Sequence, residues 1–292
     1  AVPYGMLNAA QLRKLAHICS HYDKGYCHAT TRQNIQLNWP LLEEVPDILA
    51  ELAEVDMHAV QTSGNCIRNV TSDQFAGIAP DEIADPRPYC EIIRQWSTFH
   101  PEFAFLPRKF KIAVTGALED RAAIAFHDIG LRLVKNSEGD TGFEVYVGGG
   151  LGRTPIIGNL IRDFLPENDL LTYLEAIVRI YNLHGRRDNK YKARIKILVK
   201  AVGVETFAKL VEAEWAHIRD SQTLLTDKEI KRAKSFFTEP EYKTFDNTHS
   251  WAGVNTLRSE DKSFAQWLDH NTHSHKIPGY RAVTLSLKPT GI

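Results

Sequence analysis

The sequence predicts an α+β fold built from more than one unit. An apolar helical period near the N-terminus gives way to strict alternation and then to a second helical period. From about residue 61, short apolar runs suited to strands are interspersed with longer helical patterns. The chain has 292 residues, 43% of them apolar. A chain of this size buries roughly three-quarters of the surface its unfolded form exposes, without a metal or disulfide staple. Length suggests about two domains.

Residues 1–60 read as the first unit. Asn8 is a helix N-cap candidate, followed by Leu12, Leu15, Ala16, Cys19 and Tyr22 on one side of a helix that Lys24-Gly25 ends. Residues 26–39 alternate as a half-buried strand does. The odd positions Cys27, Ala29, Ile35, Leu37 and Trp39 are mostly apolar, and the even ones are His28, Thr30, Arg32, Asn34, Gln36 and Asn38. A second helix over 41–57 carries Val45, Ile48, Leu49, Leu52 and Val55 on one face. Its other face holds Glu43, Glu44, Asp47, Glu51, Glu54 and Asp56, which reads as a solvated face without a role.

Residues 61–220 read as a larger α/β unit. A polar loop over 61–73 and a Pro-rich turn over 85–88 precede a helix over 90–99. Strands are expected over 106–115 and 143–147, and helices over 156–164, 169–183 and 204–219. Residues 221–277 read as linker or surface meander, where His249, His270, His273 and His275 match no metal-ligand spacing. A final strand is expected over 282–287. The chain starts without Met and stops just after that run, so both ends read as cut.

Composition excludes several functions. A net charge of −1 argues against a generic nucleic-acid binder. No run approaches the ~18 apolar residues of a membrane helix, and no basic start precedes an apolar signal core. Cys19, Cys27, Cys66 and Cys90 form neither a disulfide framework nor a CxxC pair, which suggests a reducing, cytoplasmic setting. Nucleophile-triad, HExxH and P-loop signatures are missing, so hydrolysis and phosphotransfer fit poorly.

Three cationic features stand out instead. Arg32 is the only charge among Thr30, Asn34 and its other polar neighbours on the expected strand, with a solvated strand face as the competing reading. Lys109 and Lys111 share one face of the expected 106–115 strand and repel each other unless an anion or water lies between them. The turn Gly148-Gly149-Gly150-Leu151-Gly152-Arg153 places Arg153 where the dinucleotide fingerprint has its third glycine, and suits either an anion or a plain tight turn. The basic run over 186–200 is either a nucleic-acid patch or a solvated helix face.

Taken in order, these motifs resemble the siroheme and iron–sulfur sulfite/nitrite reductases, and within them the haemoprotein (beta) subunit of assimilatory sulfite reductases. The segments that carry the resemblance are Thr30-Thr31-Arg32-Gln33-Asn34-Ile35-Gln36, Gln61-Thr62-Ser63-Gly64-Asn65-Cys66-Ile67-Arg68-Asn69-Val70 and Asp85-Pro86-Arg87-Pro88. Further along they are Leu106-Pro107-Arg108-Lys109-Phe110-Lys111, Val147-Gly148-Gly149-Gly150-Leu151-Gly152-Arg153-Thr154-Pro155 and Arg187-Asp188-Asn189-Lys190.

The resemblance implies a ferredoxin-like half-domain over 1–60 and a siroheme-binding α/β domain over 61–220. After the linker, residues 278–292 would start a second, truncated ferredoxin-like half-domain. It implies six-electron reduction of sulfite to sulfide, or of nitrite to ammonia, at a siroheme coupled to a [4Fe–4S] cluster. Arg32, Arg87, Lys109 and Lys111 would bind substrate, the lysines also donating protons. Arg68, Asn69, Arg108, Gly149, Gly150 and Arg153 would hold siroheme carboxylates, with Asn189, Lys190 and Arg187 beside them. Lys111 suggests the sulfite branch, since nitrite-type members tend to carry Asn there. The donor would be ferredoxin or a flavoprotein reductase; the acidic 41–57 helix would repel an acidic ferredoxin, so docking would use another surface. Neither nucleic acid nor membrane is an expected partner.

One departure matters. The family's cluster cysteines come as C-x5-C followed by C-x3-C, and none of the four cysteines here matches. The chain is therefore expected to be the N-terminal half of a longer reductase, inactive alone, with no metal ligands of its own. A non-catalytic tetrapyrrole-binding fragment is the alternative.

Overall fold

The computed structural model describes residues 1–244 and 252–287; His249 and residues 288–292 of the expected last half-domain lie outside them. Helix α1, Ala9–Tyr22, starts where Asn8 predicts. The Asn8 side chain accepts from the Gln11 amide at 2.8 Å, and the Gln11 side chain accepts from the Asn8 amide at 3.1 Å.

The single strand expected over 26–39 is instead a hairpin. Strands β1 (His28–Ala29) and β2 (Ile35–Gln36) pair antiparallel, His28 opposite Gln36 and Ala29 opposite Ile35. Gln33 sits in the left-handed region at φ 57°, and Thr30 Oγ1 accepts from the amides of Arg32 and Asn34. Paired positions share parity in this register, so alternation continues through the turn and hides it. A 3-10 turn, Leu42–Glu44, leads into α2, Val45–Ala53. The acidic face of α2 is not wholly solvated: Lys14 Nζ on α1 reaches Glu51 at 3.2 Å and Glu54 at 2.8 Å. Val2, Leu15 and Met57 form a small core beneath, with Ile35, Leu52 and Val55 packed on it.

The second unit is organised on a five-stranded mixed sheet in the order β3-β4-β5-β6-β7. Its strands are β3 (Thr71–Ser72), β4 (Ile112–Thr115), β5 (Ile129–Lys135), β6 (Thr141–Val147) and β7 (Asn159–Pro166). The first three run parallel and the last two pairings are antiparallel. Helices α3 (Arg87–Ser97), α5 (Ile195–Val202) and α6 (Val204–Ile218) contact the sheet, and α4 (Leu170–His184) packs on α5 and α6. The main core includes Tyr89, Phe110, Ile112, Phe143, Tyr173, Tyr181 and Phe207, all essentially inaccessible.

Several expectations are corrected. The helix expected over 156–164 is strand β7: Ile161, Phe164 and Leu165 suit a strand, and Gly158 stands just before it. Strand β5 was not anticipated, although Ile129, Leu131 and Leu133 are buried at period two. The 106–115 strand shortens to β4, because residues before it pair with a loop: Phe110 donates to the Cys66 carbonyl at 3.0 Å, and Arg68 donates to the Phe110 carbonyl at 2.8 Å. The Pro-rich turn is the first turn of α3, where Pro88 leaves no amide to satisfy. Where linker or meander was expected over 221–277, the described residues hold α7 (Asp227–Ser235), α8 (Ala252–Glu260), α9 (Lys262–Asn271) and β8 (Thr272–Ser274). Ile230 and Ala233 of α7 join the core, a signal submerged in a polar segment. Strand β8 pairs antiparallel with β9 (Arg281–Val283), shorter than the 282–287 run expected.

Candidate anion-binding site

A cavity of about 620 Å³ opens between the N-terminal hairpin and α2 on one side and the approach to β4 on the other. One wall is apolar, with Ile35, Leu37, Val45, Ile48, Leu49 and Leu52. The other brings together Arg32, Arg68, Lys109 and Lys111, and no carboxylate lines the cavity among the described residues.

Local structure delivers each cation. The 30–34 turn projects Arg32 toward the sheet, where its Nη1 donates to Thr71 Oγ1 at 2.6 Å and meets His127 Nε2. Its Nη2 donates to the carbonyls of Asn69 and Ile112. Its Nε is buried without a partner. Arg68 curls onto its own loop, donating to the Gly64 carbonyl at 2.7 and 2.9 Å and to the Thr62 carbonyl at 2.9 Å. Lys109 and Lys111 flank Phe110, which is fully buried and points the other way.

The electrostatics follow from burying like charges together. Burial, then Arg32, Arg194 and Lys109, push the Lys111 amine down to about 8, against the opposing pull of Asp128. Lys109 is lowered by burial and by Arg68, Arg194 and Arg108, and Arg68 by burial with Arg108 and Arg194 adding. Burial lowers Arg32 to about 10. Each cation is held at a cost that a bound anion removes.

This has a measurable consequence without any ligand. The folded-state value of Lys111, about 8, lies below its ordinary 10.5. Between those limits the unfolded chain binds the extra proton, so stability rises with pH across that window and the penalty is fully present below pH 8. Urea unfolding of the chain should show this rise, and Lys111→Met should flatten it.

Beneath the cations lies a buried ion pair that sequence reasoning missed. Arg194, just before α5, donates to Asp128 Oδ1 at 2.8 and 2.9 Å and to Oδ2 at 2.8 Å; the Asp128 side chain is inaccessible. Asp128 also accepts from the Lys111 amide at 2.8 Å, so it ties the pair to the cavity wall. In the sequence, Arg194 is one base within the 186–200 run and carries no separate mark of a buried partner. Lys196 was missed likewise: its buried amine donates to the carbonyls of Gly150, Leu151 and Thr154 at 3.3, 3.1 and 2.6 Å and pins the Gly-rich loop.

Other sequence candidates fall elsewhere. Arg87 is not brought to this cavity. Its guanidinium is taken by Asp85, at 2.7 Å from Nη2, and lies over the Phe237 ring at 5.3 Å, facing a different pocket. Asn69 is buried and committed within the protein, its Nδ2 donating to the carbonyls of Val2 at 2.8 Å and Arg32 at 3.0 Å. Gly149 and Gly150 are buried; a Cβ on Gly149 would lie 2.2 Å from the Ala125 carbonyl oxygen, so this glycine is required for loop packing. Arg108 is half-buried beside Lys109, Arg153 is exposed on the 151–155 loop, and Asn189 and Lys190 lie on the loop before α5. None of these is in the cavity lining.

The carboxylate-free cation wall suits a polyanionic group such as a tetrapyrrole with peripheral carboxylates. The thiols do not suit an iron–sulfur cluster. Cys90 is buried in α3, Cys66 faces its own loop at Ser63, and Cys19 and Cys27 sit in the N-terminal unit. Among the described residues no group of three or more His, Cys, Asp or Glu is placed to hold a metal, and no helix is long and apolar enough to cross a membrane.

The architecture is an α+β fold with a cation-lined cavity at the junction of a small unit and a mixed sheet, a candidate site for an anion. Residues 1–55 match the nitrite/sulfite reductase ferredoxin-like half domain, and residues 63–219 match the nitrite and sulphite reductase 4Fe-4S domain. The chain belongs to the nitrite and sulfite reductase family, whose members use siroheme and a [4Fe–4S] cluster. It is 33% identical over 213 residues to sulfite reductase [ferredoxin] 1 of Mycolicibacterium paratuberculosis, covering 73% of this chain and 38% of that one. It is 32% identical over 249 residues to the chloroplastic ferredoxin–nitrite reductase of Arabidopsis thaliana, covering 82% and 42%. The structure of the Mycobacterium tuberculosis NirA protein superposes with a TM-score of 0.68 at 29% identity, over 85% of this chain and 42% of that one. A dissimilatory sulfite reductase shares the fold at a TM-score of 0.60 and 11% identity, over 89% and 76%. The chain thus spans about two-fifths of the length of the curated relatives.

Proposed function

We propose that this chain supplies the substrate-binding cations and part of the siroheme seat of a ferredoxin-dependent sulfite reductase, which reduces sulfite to sulfide with six electrons in a reducing, cytoplasmic setting. The observation that carries this reading is the gathering of Arg32, Arg68, Lys109 and Lys111 on one cavity wall without a carboxylate. Both family matches and the ferredoxin-named relatives agree with it.

Siroheme, when bound, supplies the iron that coordinates the substrate and delivers electrons to it. The chain's part is charge and protons. Arg32 and Arg68 neutralise the oxyanion, each stabilising most where negative charge accumulates as S–O bonds break. Each oxygen leaves as water and so requires protons. Lys111, with its proton held at about 8, is matched to give one near neutral pH and recover it from solvent. Lys109, also lowered, stands beside it. Arg108, Arg153, Lys190 and the Gly149-Gly150 loop are assigned to siroheme carboxylates. Arg68 replaces Arg87 in the substrate group, because Arg68 lines the cavity and Arg87 does not.

In the holoenzyme, Arg68→Ala should weaken sulfite binding roughly ten- to hundredfold, the scale of one lost charge-assisted interaction. Arg87→Ala should leave it within about twofold; equal losses would return Arg87 to the site. Nitrite reduction is the second reading, favoured by a nitrite reductase relative of nearly equal identity. Turnover of both anions with reduced ferredoxin separates them: the sulfite reading requires the higher kcat/KM on sulfite, and a preference for nitrite would replace it.

A further inference from the structure

We propose that His127 is a positioning residue for Arg32, acting through an unprotonated Nε2 that accepts from the guanidinium and fixes it at the cavity wall. The inference rests on the anion-site reading and adds a residue to it.

His127 follows the 3-10 turn Ile124–Phe126, just before β5. Its Nδ1 lies 2.8 Å from the Ala123 carbonyl oxygen. A carbonyl only accepts, so Nδ1 carries the proton. Ala123 is held at φ 53°, left-handed for a residue with a Cβ, in the turn that presents this carbonyl. In a neutral ring Nε2 then offers a lone pair, and the atom facing it is Arg32 Nη1, a donor. An imidazolium here would point an N–H at a guanidinium N–H. Burial is the largest cause favouring the neutral ring, and Arg32 from the hairpin, Lys111 before β4 and Arg194 before α5 add to it, against the opposing pull of the Ala123 hydrogen bond. The adjoining Asp128 is engaged by Arg194.

This lone pair completes the set of partners around the two terminal nitrogens of Arg32. The two terminal nitrogens carry four hydrogens, and four acceptors meet them: Thr71 Oγ1, His127 Nε2 and the carbonyls of Asn69 and Ile112. Arg32 is therefore a fixed cation, not a free fork. Three of its anchors belong to the β3 and β4 region, and His127 is the one that reaches it from the approach to β5. Without that acceptor the guanidinium gains a buried, unpaired hydrogen and a reason to turn.

The test uses the holoenzyme with sulfite as the probe, measured by calorimetry, together with a 15N–1H correlation spectrum of the His127 ring. From about pH 5 to pH 8 the ring should stay neutral, with a protonated Nδ1 and a bare Nε2, where a solvated histidine would titrate. His127→Leu should weaken sulfite binding roughly tenfold or more, and His127→Gln, which restores an acceptor, should bring it back to within about threefold of the parent. A ring that titrates near 6.5, the opposite tautomer, or a Gln variant as weak as the Leu variant would overturn the assignment. If the parent holoenzyme binds no sulfite, the anion-site reading falls, while the ring spectrum still decides the role of His127. If the Leu variant does not fold, the spectrum and the Gln variant decide it.

Discussion

Replacing Lys111 with Arg in the holoenzyme should lower kcat for sulfite on the order of 10²- to 10³-fold while leaving KM within a few-fold, because general acid catalysis contributes on that scale. The two side chains differ in the property that matters. Lys111 keeps its charge below about pH 8 and parts with its proton near neutrality, because burial and the cations around it depress the amine. A guanidinium in the same place keeps the charge that attracts the anion and holds its proton far more tightly. Binding and proton donation are thereby separated in one substitution. Lys111→Met, which removes both, should raise KM as well. An Arg variant with unchanged kcat would assign the proton to Lys109 or to water.

The largest stability effect is expected at Asp128. Its side chain is inaccessible, paired with Arg194 through three contacts of 2.8 to 2.9 Å and joined to the Lys111 amide. Asp128→Asn strands Arg194 in a region already carrying Lys111, Lys109 and Arg68. Breaking a buried pair by removing one partner typically costs about 3 to 5 kcal/mol. A double change to Asp128→Leu with Arg194→Met should recover much of that loss in urea unfolding, since no charge is then left unpaired. Recovery of folding should not restore anion binding in full, because the segment carrying Lys111 loses its tether. A single Asn variant as stable as the parent would mean that the pair carries little of the fold.

These two residues also mark where the sequence is and is not legible. Lys109 and Lys111 stood out because two cations share one face in an apolar segment, a conflict visible without coordinates. Asp128 and Arg194 are 66 positions apart, and nothing local marks either as half of a buried pair. Helix α1 was legible through its cap and period, and α4 and α6 through length. The hairpin around Arg32 was not, because its register preserves the alternation of a single strand. The β7 segment suits a helix as well as a strand, because a short apolar run fits both periods. The exchange of Arg87 for Arg68 has the same origin. Both lie in family-like motifs, and only the fold shows that one points to the cavity and the other to Asp85.

A crystal structure of the holoprotein with sulfite bound decides the assignment. The oxyanion should lie on the cation wall, its oxygens within hydrogen-bond reach (about 2.7–3.0 Å) of Lys111 and Arg68, with Arg87 still held by Asp85. Sulfite seated away from this wall, or held by Arg87 in place of Arg68, would contradict it.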